Sequence, residues 1–233
     1  MRVGFAVKRF INGSRKFSLL ITFAVALSVL VPIPAHAATV SFNCPSGGGT
    51  YRVVDGTVPP FGTSGTCGGD LVLDSSVTTL ANYAFFYAAI TSLTIPATVT
   101  TITGVPIADA QNLVSVVVDD TNPNYASVEG VLFNKTLTNL IVYPVSKTGS
   151  SYLIPGSVTS IGSYSFYYNK FLTSISIPNS VTTMSGQVFY ESKALTTISI
   201  GSGLSSLGGS IFCKHWNSHC NQCRCHKHVV CIN

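Results

Sequence analysis

Histidine is absent between Ala38 and Phe212, and this stretch contains only two cysteines, Cys44 and Cys67. Most nucleophilic triads and most metal-hydrolase sites are thereby excluded, because they need His or Cys as base, nucleophile or ligand. Neither a G-x-S-x-G elbow nor a P-loop occurs. We therefore expect a protein that is not an enzyme, with no catalytic residues, no cofactor and no metal site in this stretch.

Charged residues are also scarce, and their distribution argues against a nucleic-acid partner. They make up 9% of the chain, and the formal net charge of +5 comes from the two ends. Residues 38–212 contain five basic and eight acidic residues, a net charge of −3. Nucleic-acid binding needs a basic surface to neutralise phosphates, so we expect none here.

The first 37 residues have the three parts of a secretory signal. A basic segment extends to Lys16, the apolar run "FSLLITFAVALSVLV" follows, and "AHA" places small residues at Ala35 and Ala37. The pattern predicts cleavage after Ala37, export by the general secretory route and no membrane span after cleavage. An uncleaved anchor is the alternative, although the apolar run is shorter than the about 20 residues that a span needs.

Export implies an oxidising compartment, in which disulfides persist. Cys44 and Cys67 flank a segment rich in Gly, Pro, Ser and Thr that cannot build a core alone. We predict a Cys44–Cys67 disulfide that closes this segment, within an N-terminal cap at residues 38–70. Two free thiols are the alternative.

The body of the chain repeats with a period of 23 residues. Equivalent apolar positions recur in the last three units, and a spacing of 22 relates the units upstream. The downstream sets are Phe166, Phe189 and Phe212; Ile154, Ile177 and Ile200; Val158, Val181 and Leu204; and Ile161, Met184 and Leu207. The upstream pairs are Leu73 and Ile95, Val77 and Val99, Leu80 and Ile102, and Phe85 and Ile107.

One unit predicts a short strand, a second extended segment and a turn with a large apolar plug. "LTSISI" alternates apolar and polar residues, as a strand with one buried face does, and Pro178 ends it. One unit cannot bury its apolar face alone, but stacked units can. The predicted fold over residues 71–212 is therefore a mainly β solenoid, a right-handed coil with short parallel strands and few helices. A β-sandwich is the less favoured alternative.

The period breaks between residues 119 and 151, where the sequence predicts a hairpin-like insertion. "VEGVLFN" and "LTNLIVYP" are strand-like and are joined by the polar turn "NKT".

The unit "LTSISIPNSVTTMSGQVFYES" and the block "NPNYASVEGVLFNKTLTNLIVYP" resemble the BspA-like leucine-rich repeats of bacterial surface proteins. The resemblance covers about residues 71–212, with departures at Pro106-Ile107 and Gly201. It implies an exported or surface-attached bacterial solenoid, often with a binding or adhesion role. It carries over no catalytic residues and no particular ligand.

Aromatic clusters are the candidate binding residues. "YAFFY" and "YSFYY" fall at the same place in their units, and Tyr190 follows the plug Phe189. Tyrosine offers contact area together with a polar tip, which favours protein or glycan contact. Packing against neighbouring coils is the alternative. The predicted binding edge consists of Phe86, Tyr87, Tyr167, Tyr168 and Tyr190.

The eight acids could supply a glycosidase pair or, around Asp119, Asp120, Asn122 and Asn124, a Ca²⁺ loop. They lie at different repeat offsets, mostly beside Gly, Thr or Asn, so solvated loop positions are the favoured interpretation. They are Asp55, Asp70, Asp74, Asp109, Asp119, Asp120, Glu129 and Glu191.

Residues 213–233 differ in composition from everything before them, with five cysteines and four histidines. The switch comes where a next repeat unit is expected, which favours a frameshift or a decayed reading frame. A disulfide-linked cap and a metal site that uses this Cys/His-rich tail stay open.

The sequence thus predicts a non-catalytic, secreted or cell-surface binding protein with a protein or glycan ligand on another surface. The first alternative is a structural envelope or matrix component that assembles through solenoid ends. The second is an exported metal-binding protein that uses the tail. The sequence does not specify an oligomeric state.

Overall fold

The computed structural model of the protein describes residues 37–211, and this part is a β-solenoid of about seven turns. The predicted solenoid fold is confirmed, and no helix occurs in the part that the structure describes. Accordingly, no helix in this range could cross a membrane. The predicted signal segment up to His36, the plug residue Phe212 and the Cys/His-rich tail lie outside the described residues.

Two sheets build the N-terminal half. One has the strand order β1-β2-β3-β6-β8 with β4 paired to β2, and the other has the order β5-β7-β9. Pairing is antiparallel among β1, β2, β3 and β4, and parallel along β3-β6-β8 and β5-β7-β9. The strands are β1 (Thr39–Asn43), β2 (Thr50–Val54), β3 (Thr57–Val58), β4 (Thr63–Ser64), β5 (Gly68–Val72), β6 (Thr79–Leu80), β7 (Ala89–Ile95), β8 (Thr101–Ile102) and β9 (Ser115–Val118).

The parallel ladder begins at Thr57, inside the segment predicted as a cap. Val58 pairs with Leu80, and both side chains are fully buried, so Val58 occupies the inward position of a repeat unit 22 residues upstream. The predicted boundary after residue 70 falls within β5. The sequence around Val58 lacks the I-P-x-S-V-T pattern, which is why the repeat is not visible there.

Two further sheets build the C-terminal half, with the orders β10-β11-β12-β14-β16-β18 and β13-β15-β17. Pairing is antiparallel from β10 to β12 and parallel elsewhere. The strands are β10 (Tyr125–Val128), β11 (Val131–Asn134), β12 (Asn139–Val142), β13 (Ser151–Leu153), β14 (Ser160–Ile161), β15 (Ser174–Ile177), β16 (Thr183–Met184), β17 (Thr197–Ile200) and β18 (Ser206–Leu207).

The segment predicted as an insertion is only partly outside the coil. β11 and β12 form an antiparallel hairpin across the "NKT" turn, yet β12 also pairs in parallel with β14 and is therefore a rung of the solenoid. Leu140 and Val142 point inward from this rung, at 0% and 6% exposure. Within this segment only β10 and β11 have no parallel partner, and they lie between the β8 rung and the β12 rung.

The repeat positions form the core. The plugs Phe85, Phe166 and Phe189 are fully buried, and their ladder partners face them from the short strands. Two apolar clusters result, one built mainly on β1–β9 and one built mainly on β11–β17. The hairpin supplies both, since Leu132 packs in the first cluster and Phe133 in the second.

Candidate binding surface

The residues of the predicted binding edge lie in the turns that follow β6, β14 and β16. Two residues in the first turn, Tyr83 and Tyr87, have left-handed backbones with φ of 60° and 58°. Tyr164 and Tyr168 repeat this geometry with φ of 57° and 55°. Residues other than glycine rarely adopt this conformation, which costs about 1–2 kcal/mol each. The recurrence therefore indicates that the packing of each coil holds the turn in this shape.

Backbone hydrogen bonds keep these turns in register from coil to coil. The Phe61 N–H donates to the Tyr83 carbonyl at 2.9 Å, and the Tyr168 N–H donates to the Tyr190 carbonyl at 2.9 Å. Edge side chains of successive coils consequently stack upon one another, as the inward side chains do.

The first aromatic cluster contains Phe61, Tyr83, Phe86 and Tyr87. The Phe86 ring lies 4.1 Å from the Tyr87 ring and 5.4 Å from each of the other two, measured between centroids. Phe86 is half-buried in this cluster, whereas Tyr87 is 69% exposed and Phe61 is 60% exposed. The cluster therefore presents two large aromatic surfaces to solvent.

The second aromatic cluster contains Tyr164, Tyr167, Tyr168 and Tyr190, all half-buried. Tyr167 and Tyr190 stack with their ring planes 13° apart and their centroids 5.8 Å apart. Tyr168 adds an edge contact to Tyr167 at 5.7 Å, and the Lys193 Nζ lies 6.0 Å from the Tyr168 ring centroid. These three predicted edge residues thus form one cluster, in which Tyr167 and Tyr190 of successive coils stack and all three rings are partly exposed.

The two clusters occupy equivalent turns of the coil, since Tyr83 and Tyr87 match Tyr164 and Tyr168 in repeat position and in backbone conformation. Burial raises the pKa of Tyr167, and the charges of Asp109, Tyr87, Tyr190 and Glu191 raise it further. Asp109 follows Tyr87 by 22 residues and has the same left-handed backbone, with φ of 57°. It occupies the equivalent turn of the next coil, after β8, so the five predicted edge residues lie in turns on the same side of the coil. We call this surface the aromatic edge.

Three members of the aromatic edge were absent from the sequence prediction. Phe61 and Tyr83 contact the predicted Phe86, and Tyr164 contacts the predicted Tyr167. Tyr83 and Tyr164 could have been predicted from the sequence, because they hold the same first position in "YAFFY" and "YSFYY". Phe61 lies 22 residues before Tyr83, but the cap sequence hides this spacing.

Cys44 and Cys67, the predicted disulfide partners, have sulfur atoms 1.92 Å apart and Cα atoms 5.1 Å apart. Both side chains are buried. The pair connects the loop after β1 to the start of β5, so it lies where the antiparallel cap meets the solenoid.

Asp74 and Asp119 bond within their own turns, whereas Asp70 accepts from Thr91 and Ser92 of the neighbouring coil. Asp109 is buried beside Gln111, so the expected solvated loop position is wrong for this residue. Hydrogen bonds from Thr121 lower the pKa of Asp119, and those from Thr91 and Ser92 lower the pKa of Asp70. A general acid needs the opposite shift, which burial produces.

The loop considered for Ca²⁺ uses its amide internally. The Asn122 amide donates to two carbonyls and its oxygen accepts from the Asn124 and Tyr125 N–H groups, so this oxygen is not directed at an ion. No group of three His, Cys, Asp or Glu residues suitable for a metal occurs within residues 37–211. The tail considered as a metal site lies outside this range.

Comparisons with known proteins identify a repeat family. A family model described as the BspA type leucine-rich repeat region matches residues 78–219 in six copies. No curated protein matches the sequence.

Among solved structures, a leucine-rich repeat protein from Eubacterium ventriosum is 28% identical with a TM-score of 0.51, covering 60% of this chain and 46% of its own. The pneumococcal vaccine antigen PcpA is 26% identical with a TM-score of 0.54, covering 58% and 40%. A leucine-rich cell surface protein from Faecalibacterium prausnitzii is 28% identical with a TM-score of 0.57, covering 61% and 38%. The chain therefore spans less than half the length of these proteins.

Proposed function

Because the chain belongs to the BspA-type leucine-rich repeat family, we propose that it is a non-catalytic, secreted or cell-surface protein that binds a protein or glycan, with adhesion as its role. The secretory signal predicted from the sequence of residues 1–37 supports export. The similarity to a cell surface protein and to a vaccine antigen supports exposure at the bacterial surface.

The observation that carries the proposal is the aromatic edge. Aromatic side chains in a fixed array, held by a rigid ladder, lose little conformational entropy when they bind a partner. Tyrosine is enriched at interfaces and at binding hot spots because one ring supplies apolar area and a hydroxyl together. Binding would spread over several coils, so that each contact is modest and the sum is specific.

The test compares edge variants with an aromatic control for binding to immobilised extracellular proteins and glycans by biolayer interferometry. Tyr87→Ala and Tyr167→Ala each remove an edge ring. Phe171→Ala removes a ring that is 48% exposed and has no ring contact with the edge among the described residues. We expect each edge variant to weaken binding about 10-fold or more, about 1.4 kcal/mol, and the control to bind as the unmodified protein does. Equal binding by all three variants would contradict the role of the edge.

A second candidate function, assembly into an envelope or matrix layer, is favoured by one observation. Among the described residues β1 pairs only with β2, and Val40 on β1 is 50% exposed. An open strand edge is a template for pairing with another chain. Assembly would use this edge rather than the aromatic edge, so the two functions are separable by mutation.

A further inference from the structure

A polar cleft lies where β10 and β11 interrupt the ladder between β8 and β12. Its volume is about 430 Å³, within the range of small-molecule sites. The walls come from the β8 rung, the start of β10, the β12 rung and the turn after β14. Its main lining side chains are Ile102, Asn124, Tyr125, Asn139, Ile141 and Ser163.

Several polar groups in the cleft have unused hydrogen-bonding capacity in the part of the chain that the structure describes. The Tyr125 hydroxyl accepts from the Ile102 N–H at 2.7 Å, which leaves its own proton to donate. The Asn139 oxygen accepts from Ser160 at 3.0 Å, which leaves the Asn139 NH₂ group. The Asn124 NH₂ donates to the Thr100 carbonyl at 2.7 Å, which leaves its oxygen. The cleft therefore offers both hydrogen-bond donors and hydrogen-bond acceptors.

The same hydrogen bonds disfavour an added peptide strand. A strand that extended the ladder from β8 would have to pair with the Ile102 N–H and the Thr100 carbonyl. Tyr125 and Asn124 already bond to these two groups through their side chains. Strand addition at this edge of β8 is therefore disfavoured, and a compact polar ligand is favoured.

We propose that this cleft binds a neutral sugar unit of a glycan. None of the described residues that line it is charged, so it offers nothing to neutralise an ionic ligand. Sugar hydroxyls both donate and accept, which matches the mixed amide and hydroxyl groups. The sugar's C–H surface can lie against the Ile102 and Ile141 side chains.

The cleft adjoins the aromatic edge, because Ser163 in its wall directly precedes Tyr164. A glycan held in the cleft by one sugar can therefore extend across the aromatic rings with the next. This inference rests on the proposed binding function and narrows its ligand to one chemical class.

The experiment uses the purified exported protein, labelled with ¹⁵N, and titrates methyl glycosides of neutral hexoses and N-acetylhexosamines. The methyl glycoside of sialic acid serves as the anionic comparison. We expect at least one neutral glycoside to bind with a Kd of about 1 mM or tighter. Its shift changes should centre on the amides of Gly104, Gly162 and Ser163 and on the Asn139 side chain. The anionic glycoside should produce none of these changes.

Two cleft variants and one control establish the site. Asn139→Leu removes the free NH₂ group, and Ser163→Trp fills the cleft from an exposed position. Ser75→Trp places the same ring at an exposed serine that does not line the cleft. Both cleft variants should weaken sugar binding at least about 10-fold, with circular dichroism unchanged, while the control should bind normally.

The outcomes separate this inference from the function on which it rests. Binding of no neutral glycoside, or binding that both cleft variants leave intact, overturns the sugar site. If partner binding still depends on Tyr87 and Tyr167 in that case, the proposed function stands without the cleft. If a peptide displaces the bound sugar and the same cleft amides shift, the assigned ligand class is wrong.

Discussion

At the residue scale, the repeat offset determines what a side chain does. Offsets that point inward carry plugs such as Phe166, whose ring lies 5.0 Å from Tyr143 and 5.3 Å from Phe189. Offsets in the turn point outward and carry residues such as Tyr87. Two aromatic residues close in sequence can therefore contribute to stability in one case and to recognition in the other.

Phe166→Ala should destabilise the protein by about 3–5 kcal/mol, because it opens a cavity in a stack that has no exposure to solvent. Tyr87→Ala is the matched control at an exposed aromatic, for which we expect a change within about 0.5 kcal/mol. Urea unfolding followed by circular dichroism measures both free energies. Similar losses in the two variants would show that the inward and outward offsets have been assigned wrongly.

Tyr143 makes stability depend on alkaline pH. Burial is the main cause that raises the pKa of Tyr143 from 10.0 to about 12, with a contribution from the charge of Glu129. The pKa of the Tyr143 hydroxyl is higher in the folded protein than in the unfolded chain. The contribution of this hydroxyl to the free energy of unfolding is therefore complete below pH 10 and is lost as the pH rises through 12. Between pH 10 and pH 12 the free energy of unfolding should therefore fall by about 2 kcal/mol less in Tyr143→Phe than in the unmodified protein. Unfolding free energies at stepped pH measure the difference, and parallel curves would contradict the prediction.

At the element scale, each repeat unit contributes two short strands that are joined by turns. The antiparallel cap and the hairpin of β10 and β11 are the two places where this pattern changes. In the cap, the buried Tyr51 accepts a hydrogen bond from the Asp74 N–H at 2.9 Å, which ties β2 to the first full repeat unit. In the hairpin, Tyr125 does the equivalent for β8 through the Ile102 N–H. A tyrosine hydroxyl thus satisfies a backbone donor at each place where the regular ladder changes.

Removing the Cys44–Cys67 bridge should destabilise the cap by about 3 kcal/mol, the loop-entropy estimate for a sequence separation of 23. The double variant Cys44→Ser with Cys67→Ser, and the unmodified protein under reducing conditions, should show the same loss in thermal unfolding. Mass spectrometry of the protein purified without reductant should find the two cysteines linked. Free thiols at both positions would refute the bridge.

The sequence was sufficient to predict the coil but not its interruptions. A fixed period specifies which side chain points inward within a unit, so Val181, Met184 and Phe189 could be assigned to the core in advance. It does not specify which rung a non-repeating strand joins. For that reason β12 was expected outside the ladder, and the number of rungs between Tyr87 and Tyr167 could not be foreseen. Their distance depends on how the hairpin closes the gap between β8 and β12, which is a tertiary contact.

At the scale of the whole molecule, two apolar clusters follow one another along the coil axis, bridged by the hairpin. Residues on β11 alternate between them, with Leu132 in the first cluster and Phe133 in the second. The hairpin therefore couples the two parts of the coil mechanically as well as shaping the cleft.

The protein without its predicted signal segment should sediment as a monomer across a wide concentration series. The open edge of β1 is only five residues long, which is too short for a stable interface by itself. Val40→Lys places a charge on this edge and should leave the sedimentation coefficient unchanged. Concentration-dependent growth that Val40→Lys abolishes would instead establish assembly through the edge.

The regular ladder also gives the protein a unit of evolutionary change. Neighbouring rungs are about 4.8 Å apart, so each added repeat unit lengthens the coil by about 4.8 Å. Duplication or loss of one 23-residue unit between the aromatic clusters moves them apart or together by one rung, and the sequence of each turn stays the same. A lineage can therefore adjust the length of the aromatic edge by recombination and its chemistry by point mutation, each independently of the other.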